Sequence, residues 1–388
     1  MRPRSATSAA SACIATIEPH PVAPLKGRSV TVLGAGVAGL AVGTLLARAG
    51  AEVCVLEQAD AIREVGAGLQ ISPNGMAVLR AMGLEPALAA ASPRARAVVL
   101  RSHASGAEVL RLDLGRVPGP FHLVHRADLI GLLAEAAQAA GVQVRLGQQI
   151  VGLELDALGA QLATAHGQSH RCGLLIGADG LHSIVRAALN GYRAPAFTGQ
   201  VAWRALVPAE PAPKAGAAPL AEVQVHMGPG RHLVHYPLRD GRLINIVAVE
   251  ERRAWAEEGW NHPDDPAALR AAFAGFSAPV RALLERVEAP LLWGLFRHPV
   301  ATRWHQGAAA ILGDAAHPTL PFLAQGANMA LEDAWVLAAA LAAHPTHEAA
   351  FAAYQQARRA RSVRLVEAAT RNARNYHLRA PLRPLAHA

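Results

Sequence analysis

The sequence predicts an α/β fold: an open, mainly parallel sheet, interrupted by an inserted antiparallel β-sheet and followed by a C-terminal helical segment. Three observations carry this. First, Ser29–Leu33 is a short apolar strand that runs into Gly34-Ala35-Gly36-Val37-Ala38-Gly39 and then into helical text. Second, two later apolar runs end in Ala178-Asp179-Gly180 and in Gly313-Asp314. Each leaves a carboxylate at the carboxyl end of a strand, where open α/β sheets bind ligands. Third, residues 194–300 change texture. They alternate like strands over 201–207, 222–227, 232–238 and 242–250, with turns at Gly228-Pro229-Gly230 and Asp240-Gly241.

At 388 residues, 52% of them hydrophobic, the chain can hold two domains or one large domain with an insertion. No uninterrupted apolar run reaches the roughly 18 residues of a membrane-spanning helix, so no membrane segment is expected. Residues 1–27 are small, polar and proline-bearing, which predicts a disordered extension and no secretory signal. Cys13, Cys54 and Cys172 are irregularly spaced; they form neither a disulfide framework nor a metal site and fit a reducing cytoplasm. The formal net charge is +8, nearly all from arginine, since Lys26 and Lys214 are the only lysines. The arginines are scattered without a basic stripe, which argues against nucleic acid and suits anionic small molecules.

In chain order, the run at 53–56 ends in Glu57. Strand, glycine turn, helix and acidic strand end make G-x-G-x-x-G a dinucleotide-binding signature. Gly34, Gly36 and Gly39 allow the tight turn and the close approach of a pyrophosphate to the helix start, and Glu57 holds the adenosine ribose. The motif alone does not separate FAD from NAD. Gly66 and Gly68 are spaced to let the backbone pass against a flat ligand, and Ser72-Pro73-Asn74 starts a helix over 75–82. Residues 97–114 read as a β-hairpin outside the nucleotide fold. His125-Arg126 opens a helix to residue 140, from which Arg126 can reach a phosphate or flavin edge. Strands are expected at 142–146, 150–155 and 170–176, and helical text at 266–287.

The run at 308–312 breaks at Gly313-Asp314, and Pro318 and Pro321 then force an irregular loop. A helix follows from Gly326, so Gln325 precedes a helix start whose Gly326, Ala327 and Asn328 N–H groups face an anionic ligand. Past residue 342 the chain is helical and arginine-rich to about 378. The expected division is an extension (1–27), a nucleotide domain in three parts (28–96, 121–193, 301–343), a hairpin (97–120) and a β-sheet unit (194–300) of a substrate domain, and the helical segment (344–388).

Three stretches together resemble one family: GAGVAGL with Glu57, GADG followed by Ser183 and Arg186, and GDAAHP…AQG…LED. From about Ser29 to Arg371 the chain resembles the single-component flavoprotein aromatic hydroxylases, the class of para-hydroxybenzoate and salicylate hydroxylases. GAGLQISPN, HRADL, HLVHYPL and AQGANMALEDA are most similar to the branch with 3-hydroxybenzoate 6-hydroxylase and 6-hydroxynicotinate 3-monooxygenase. The resemblance implies a Rossmann-like domain holding FAD without a covalent bond, Glu57 on the ribose, and Asp314 on the ribitol chain. It implies that Asp179 and its neighbours serve the FAD pyrophosphate and NAD(P)H, with no separate nicotinamide domain. It also implies the reaction: NADH or NADPH reduces the flavin, dioxygen gives a flavin C4a-hydroperoxide, and a small phenolic or hydroxylated heteroaromatic acid is hydroxylated. In the similar enzymes a histidine and a tyrosine four residues apart contact the phenol, and His232 and Tyr236 match that spacing. Gln325 matches a substrate-side glutamine.

Strand alternation puts His232 and Tyr236 on one face and His235 on the other. His232, with an ordinary pKa near 6.5, is suited to take the phenol proton. His317 reads as packing near the cofactor, and Arg204 has no assigned role. A homodimer is compatible with this reading. The rival readings are a flavin halogenase or prenyl reductase on the same framework, a plain NAD-dependent dehydrogenase, and a non-catalytic FAD-binding protein. A halogenase needs a pocket lysine, and Lys26 and Lys214 lie in a tail and a Pro/Ala loop.

Overall fold

The computed structural model describes residues 24–62, 68–156, 158–209, 221–252 and 262–377. Most of the expected N-terminal extension, Gly66 and Lys214 lie outside them.

The β-branched run Ser29–Leu33 buries Val30, Val32 and Leu33 and forms the middle of a six-stranded sheet. Across that sheet the order is His305–Gln306, Ala309–Ile311, Leu175–Gly177, Ser29–Leu33, Glu52–Leu56 and Gln143–Arg145. All pairs are parallel except the first, which is a short antiparallel edge. The helix Val37–Arg48 buries Leu40, Ala41, Val42 and Leu46 against this sheet in the main core. Such strands, covered on both faces, read as continuous apolar runs.

The second large sheet has eight strands: His262–Pro263, Leu291–Arg297, Ala196–Pro208, Leu243–Glu251, Arg231–Leu238, Glu222–Gly228, Ala97–Ser102 and Glu108–Asp113, in that order. The 97–114 hairpin is therefore an edge of this sheet. The sheet is not wholly antiparallel, because Glu222–Gly228 pairs parallel to Ala97–Ser102. Its outer face, with Trp203, Leu233 and Ile246, is closed by the helices Pro266–Ala272 and Ala278–Leu284. The break between those helices corrects the single helical stretch expected at 266–287.

Two further corrections concern strands. The run at 170–176 is two strands in different sheets. Ser169–Cys172 pairs with Gly159–Thr164, which in turn pairs with Ile150–Asp156, whereas Leu175–Gly177 joins the parallel sheet. Gly173 and Leu174 separate the two. A small antiparallel pair, Gly68–Ile71 with His122–His125, links the two large sheets.

The last helices are Gly326–Ala343 and the 30-residue His347–Tyr376. At about 1.5 Å per residue the latter is about 45 Å long. Near its start Tyr354 donates to the Ile311 carbonyl of the parallel sheet (3.2 Å), and near its end Asn372 donates to the Phe322 carbonyl (2.8 Å).

Candidate active site

Adjacent parallel strands end side by side, so the chain delivers Asp314, Asp179, the glycine turn and Glu57 in that spatial order. Gly34 has φ +97°, and a Cβ there would lie 2.5 Å from the Ala178 carbonyl oxygen. A Cβ on Gly39 would overlap the Gly34 carbonyl. On Gly36, by contrast, it would meet no protein atom within 4 Å. The first and third glycines are thus required by the protein's own packing, and the second keeps space open before the helix start. The Glu57 carboxylate accepts hydrogen bonds from the Ala35 N–H (2.6 Å) and the Ala59 N–H (2.9 Å), which brings it to the mouth of the turn. Open space, a helix start and a carboxylate at the next strand's end fit an adenine dinucleotide.

Asp314 is exposed at the strand's end. Desolvation by the surrounding protein raises its carboxyl above the usual range, against the pull of His317, Arg126 and His298. Arg126, the first residue of the helix Arg126–Ala139, is therefore near enough to act on Asp314. The second helix start, Gly326-Ala327-Asn328, opens after Ala324, whose φ of +51° is unusual for a residue with a Cβ. The Gln325 side chain is held between Ser72 Oγ (3.0 Å) and Asn74 Nδ2 (3.2 Å).

Some expected ligand residues have their side chains engaged within the protein. Asp179 accepts from Ser183 Oγ (2.5 Å) and the Ile184 N–H (2.9 Å), fixing the start of the helix Ile184–Asn190. Asn328 is fully buried; its amide accepts from the Ser72 N–H (3.0 Å) and donates to the Gln70 and Ala324 carbonyls (both 2.9 Å). The flat neighbour expected at Gly68 is the Tyr236 ring, which a Cβ there would meet at 2.6 Å. The Gly68 N–H donates to Asn245 Oδ1 (2.7 Å). His317 is buried between Trp304 (centroids 5.3 Å apart) and Asp333, to which it is hydrogen-bonded.

The inner face of the eight-stranded sheet is a grid set by register. His232 lies opposite Val249, which lies opposite Ala202; Val234, Val247 and Arg204 form the next row; Tyr236, Asn245 and Leu206 the third. His232, Arg204 and Tyr236 therefore share one face, whereas His235 stacks on His226 on the other (5.4 Å). Leu320 and Phe322, from the loop between Asp314 and Gln325, pack on the inner face with Ala202, Val249 and Trp293. His232 is 2% exposed, with the rings of Phe322 (5.4 Å) and Tyr376 (5.0 Å) beside it, and its Nδ1 is 2.6 Å from His377 Nε2. Burial first, and His377 second, hold His232 well below its ordinary pKa. Burial raises the Tyr236 phenol despite its hydrogen bond to Gln70 and the charge of Arg204. Both residues are thus held neutral.

Arg204 and His377 were not assigned from sequence. Register alone reveals Arg204, because it alternates with the outward Trp203. No sequence signal ties His377 to His232, 145 residues away.

A family described as FAD binding domain matches residues 28–369. The chain is 38% identical to 3-amino-4-hydroxybenzoate 2-monooxygenase of Streptomyces cremeus, over 90% of this chain and 88% of that protein. It is 34% identical to 3-hydroxybenzoate 6-hydroxylase of Polaromonas naphthalenivorans (strain CJ2), with the same coverage of both chains, 90% and 88%. Among solved structures, Klebsiella pneumoniae HpxO complexed with FAD and uric acid superposes with a TM-score of 0.81 at 26% identity, over 93% of this chain and 92% of that one. The chain belongs to the FAD-binding-domain family and is an FAD-dependent aromatic monooxygenase that uses NAD(P)H and dioxygen.

Proposed function

We propose that the inner face of the eight-stranded sheet binds a small phenolic acid, with His232 as the base that takes the phenol proton. One observation carries the reading: register places His232, Arg204 and Tyr236 on the single face that packs against the Asp314–Gln325 loop. FAD is held by the Gly34–Gly39 turn, Glu57, Asp314 and the helix start at Gly326, with Arg126 beside it; Asp179 shapes the adjacent turn. When bound and reduced, FAD supplies the activated oxygen. The protein's own residues prepare the ring. Burial keeps His232 unprotonated and able to accept a proton, and a positioned base typically contributes about 10²–10⁴-fold. Tyr236, held protonated, donates a hydrogen bond to the phenol oxygen. Arg204 gives the face a buried cation that favours an anionic ring, and Gln325 orients it from the nucleotide side. The enclosed face excludes water, which strengthens each of these interactions.

The relatives' substrates, 3-amino-4-hydroxybenzoate and 3-hydroxybenzoate, are the first compounds to test, with benzoate as the control without a phenol. Among the described residues, Cys54 and Cys172 are free thiols, which fits a cytoplasmic protein, and a homodimer is the assembly to test by sedimentation. In the FAD-loaded parent, a phenolic acid stimulates NADH or NADPH oxidation and is hydroxylated, and benzoate is not. His232→Ala retains FAD, loses about 10²-fold or more in hydroxylation, and diverts reducing equivalents to hydrogen peroxide. Higher pH partly restores product, because solvent then ionises the phenol. A variant with parental product per NADH and an unchanged pH profile places the base elsewhere.

A further inference from the structure

His232 is sealed from solvent, so a proton it accepts needs an exit. A chain of hydrogen bonds leads from it to the surface. His232 Nδ1 lies 2.6 Å from His377 Nε2, and His377 Nδ1 lies 3.0 Å from Glu251 Oε1, whose side chain is 37% exposed. The three residues come from three places: the strand Arg231–Leu238, the end of the long C-terminal helix, and the end of the strand Leu243–Glu251. The neighbouring charges are already paired, Arg231 and Arg252 both with Glu250. Among the described residues, Phe322 and Tyr376 pack on His232, and Gln200 Nε2 lies 3.5 Å from His377 Nδ1, farther than the Glu251 oxygen.

The carboxylate fixes every tautomer in the chain. An ionised Glu251 only accepts, so His377 donates from Nδ1 and, when neutral, accepts at Nε2. His232 must then donate from Nδ1, which leaves the lone pair on its Nε2. This arrangement rests on the reading of His232 as the base. We propose that His377 and Glu251 are positioning residues that relay the phenol proton to solvent. The phenol proton moves to His232 Nε2, the His232 Nδ1 proton to His377 Nε2, and the His377 Nδ1 proton to Glu251, which releases it to water. Phenolate remains on the substrate, and no net charge stays on either imidazole. Return of a proton to the product's oxygen runs the chain backwards and restores the tautomers.

Two measurements test this on the FAD-loaded protein. The first needs no substrate: ¹⁵N NMR with labelled histidine, the His232 signals assigned by their loss in His232→Ala. The relay requires His232 protonated at Nδ1 and bare at Nε2; a proton on Nε2 overturns it. The second uses 3-hydroxybenzoate as the probe, with product formation followed from pH 6 to 9. His377→Gln keeps a hydrogen bond to His232 but cannot pass a proton on. It should retain FAD and bind the probe within about twofold, yet lose about tenfold or more in product formation near pH 7, recovering as pH rises. A parental rate and pH profile in that variant shows that the hydrogen bond alone suffices and overturns the relay. Should His377→Gln misfold, Glu251→Gln at the exposed end decides in the same way. A parental profile in His232→Ala fails the base itself, a result separable from an impaired His232→Ala beside a parental His377→Gln.

Discussion

The three glycines of the turn between Leu33 and Val37–Arg48 carry identical side chains and unlike duties. Adding one methyl group separates them. Gly39→Ala drives a Cβ into the Gly34 carbonyl, so it should destabilise the apoprotein by roughly 1–3 kcal/mol, as overpacking does. Gly36→Ala meets no protein atom and should leave the thermal midpoint of the apoprotein unchanged while weakening FAD retention. Thermal melts with and without added FAD distinguish the two; equal loss of apoprotein stability in both would show that Gly36 is a packing glycine too. Asp314 is the other residue proposed to face the flavin. Asp314→Ala removes a charge-assisted hydrogen bond of roughly 1.5–3 kcal/mol, about 10–150-fold in FAD affinity. Dialysis against the free flavin measures it, and parental affinity would end the assignment. These positions were legible because strand, turn and carboxylate are contiguous in sequence. His377, Glu251 and Asn245 were not, because each meets its partner only after sheets from distant segments come into register.

The two last helices form a clasp around the Asp314 turn. Asp333 accepts from the Gly313 N–H (3.1 Å), binds His317, and is paired with Arg358 Nε (2.7 Å). Arg358 also pairs with Glu332 (2.6 Å), which holds Asn74 (2.9 Å) and Arg361 (2.9 Å). Burial works to raise both carboxyls, but the facing cations more than offset it, so both lie below their usual range. Arg358→Leu leaves two buried carboxylates without their shared cation and should cost about 3–5 kcal/mol. It should also loosen FAD, since Gly313 precedes Asp314. Urea unfolding and flavin titration check both effects, and a loss below about 1 kcal/mol means that water or relaxation replaces the arginine. The sequence shows Glu332 and Asp333 only as part of the LED stretch, and nothing in the helical text pairs them with Arg358 and Arg361 one helix later. The run at 170–176 misleads for a related reason: an apolar run shows that a strand is buried, and only pairing shows in which sheet.

Over the whole molecule, the buried histidines govern the pH response near neutrality. Burial lowers His226 to about 4 and His235 to about 3, and lowers His232, His122 and His125 as well. Their folded values lie below the ordinary value near 6.5, so between the two the unfolded chain binds protons that the folded chain refuses. Stability is therefore fully present above about pH 6.5 and falls as pH drops below it. The carboxylates of the clasp have the other shift. Their contribution is present above about pH 4 and is lost as pH falls through their depressed folded values. Urea midpoints should be level from pH 8 to 7 and decline from 6.5 to 5, with a steeper loss below 4. A flat profile from 7 to 5 would show that these imidazoles are protonated in the folded state.

The spatial order of the parallel strands also imposes an order in time. The glycine turn and Glu57 lie near the start of the chain, yet their neighbours across the sheet, at Asp179 and Asp314, come from its middle and its last third. At synthesis rates of about 5–20 residues per second, a ribosome that has extruded residues up to 300 has presented half of a flavin cradle, with an open strand edge where Ala309–Ile311 belongs. On the proposed site, the cofactor is held only once Ala309–Ile311 has joined the sheet, and scarcity of flavin would leave behind molecules whose cradle has nothing to close on.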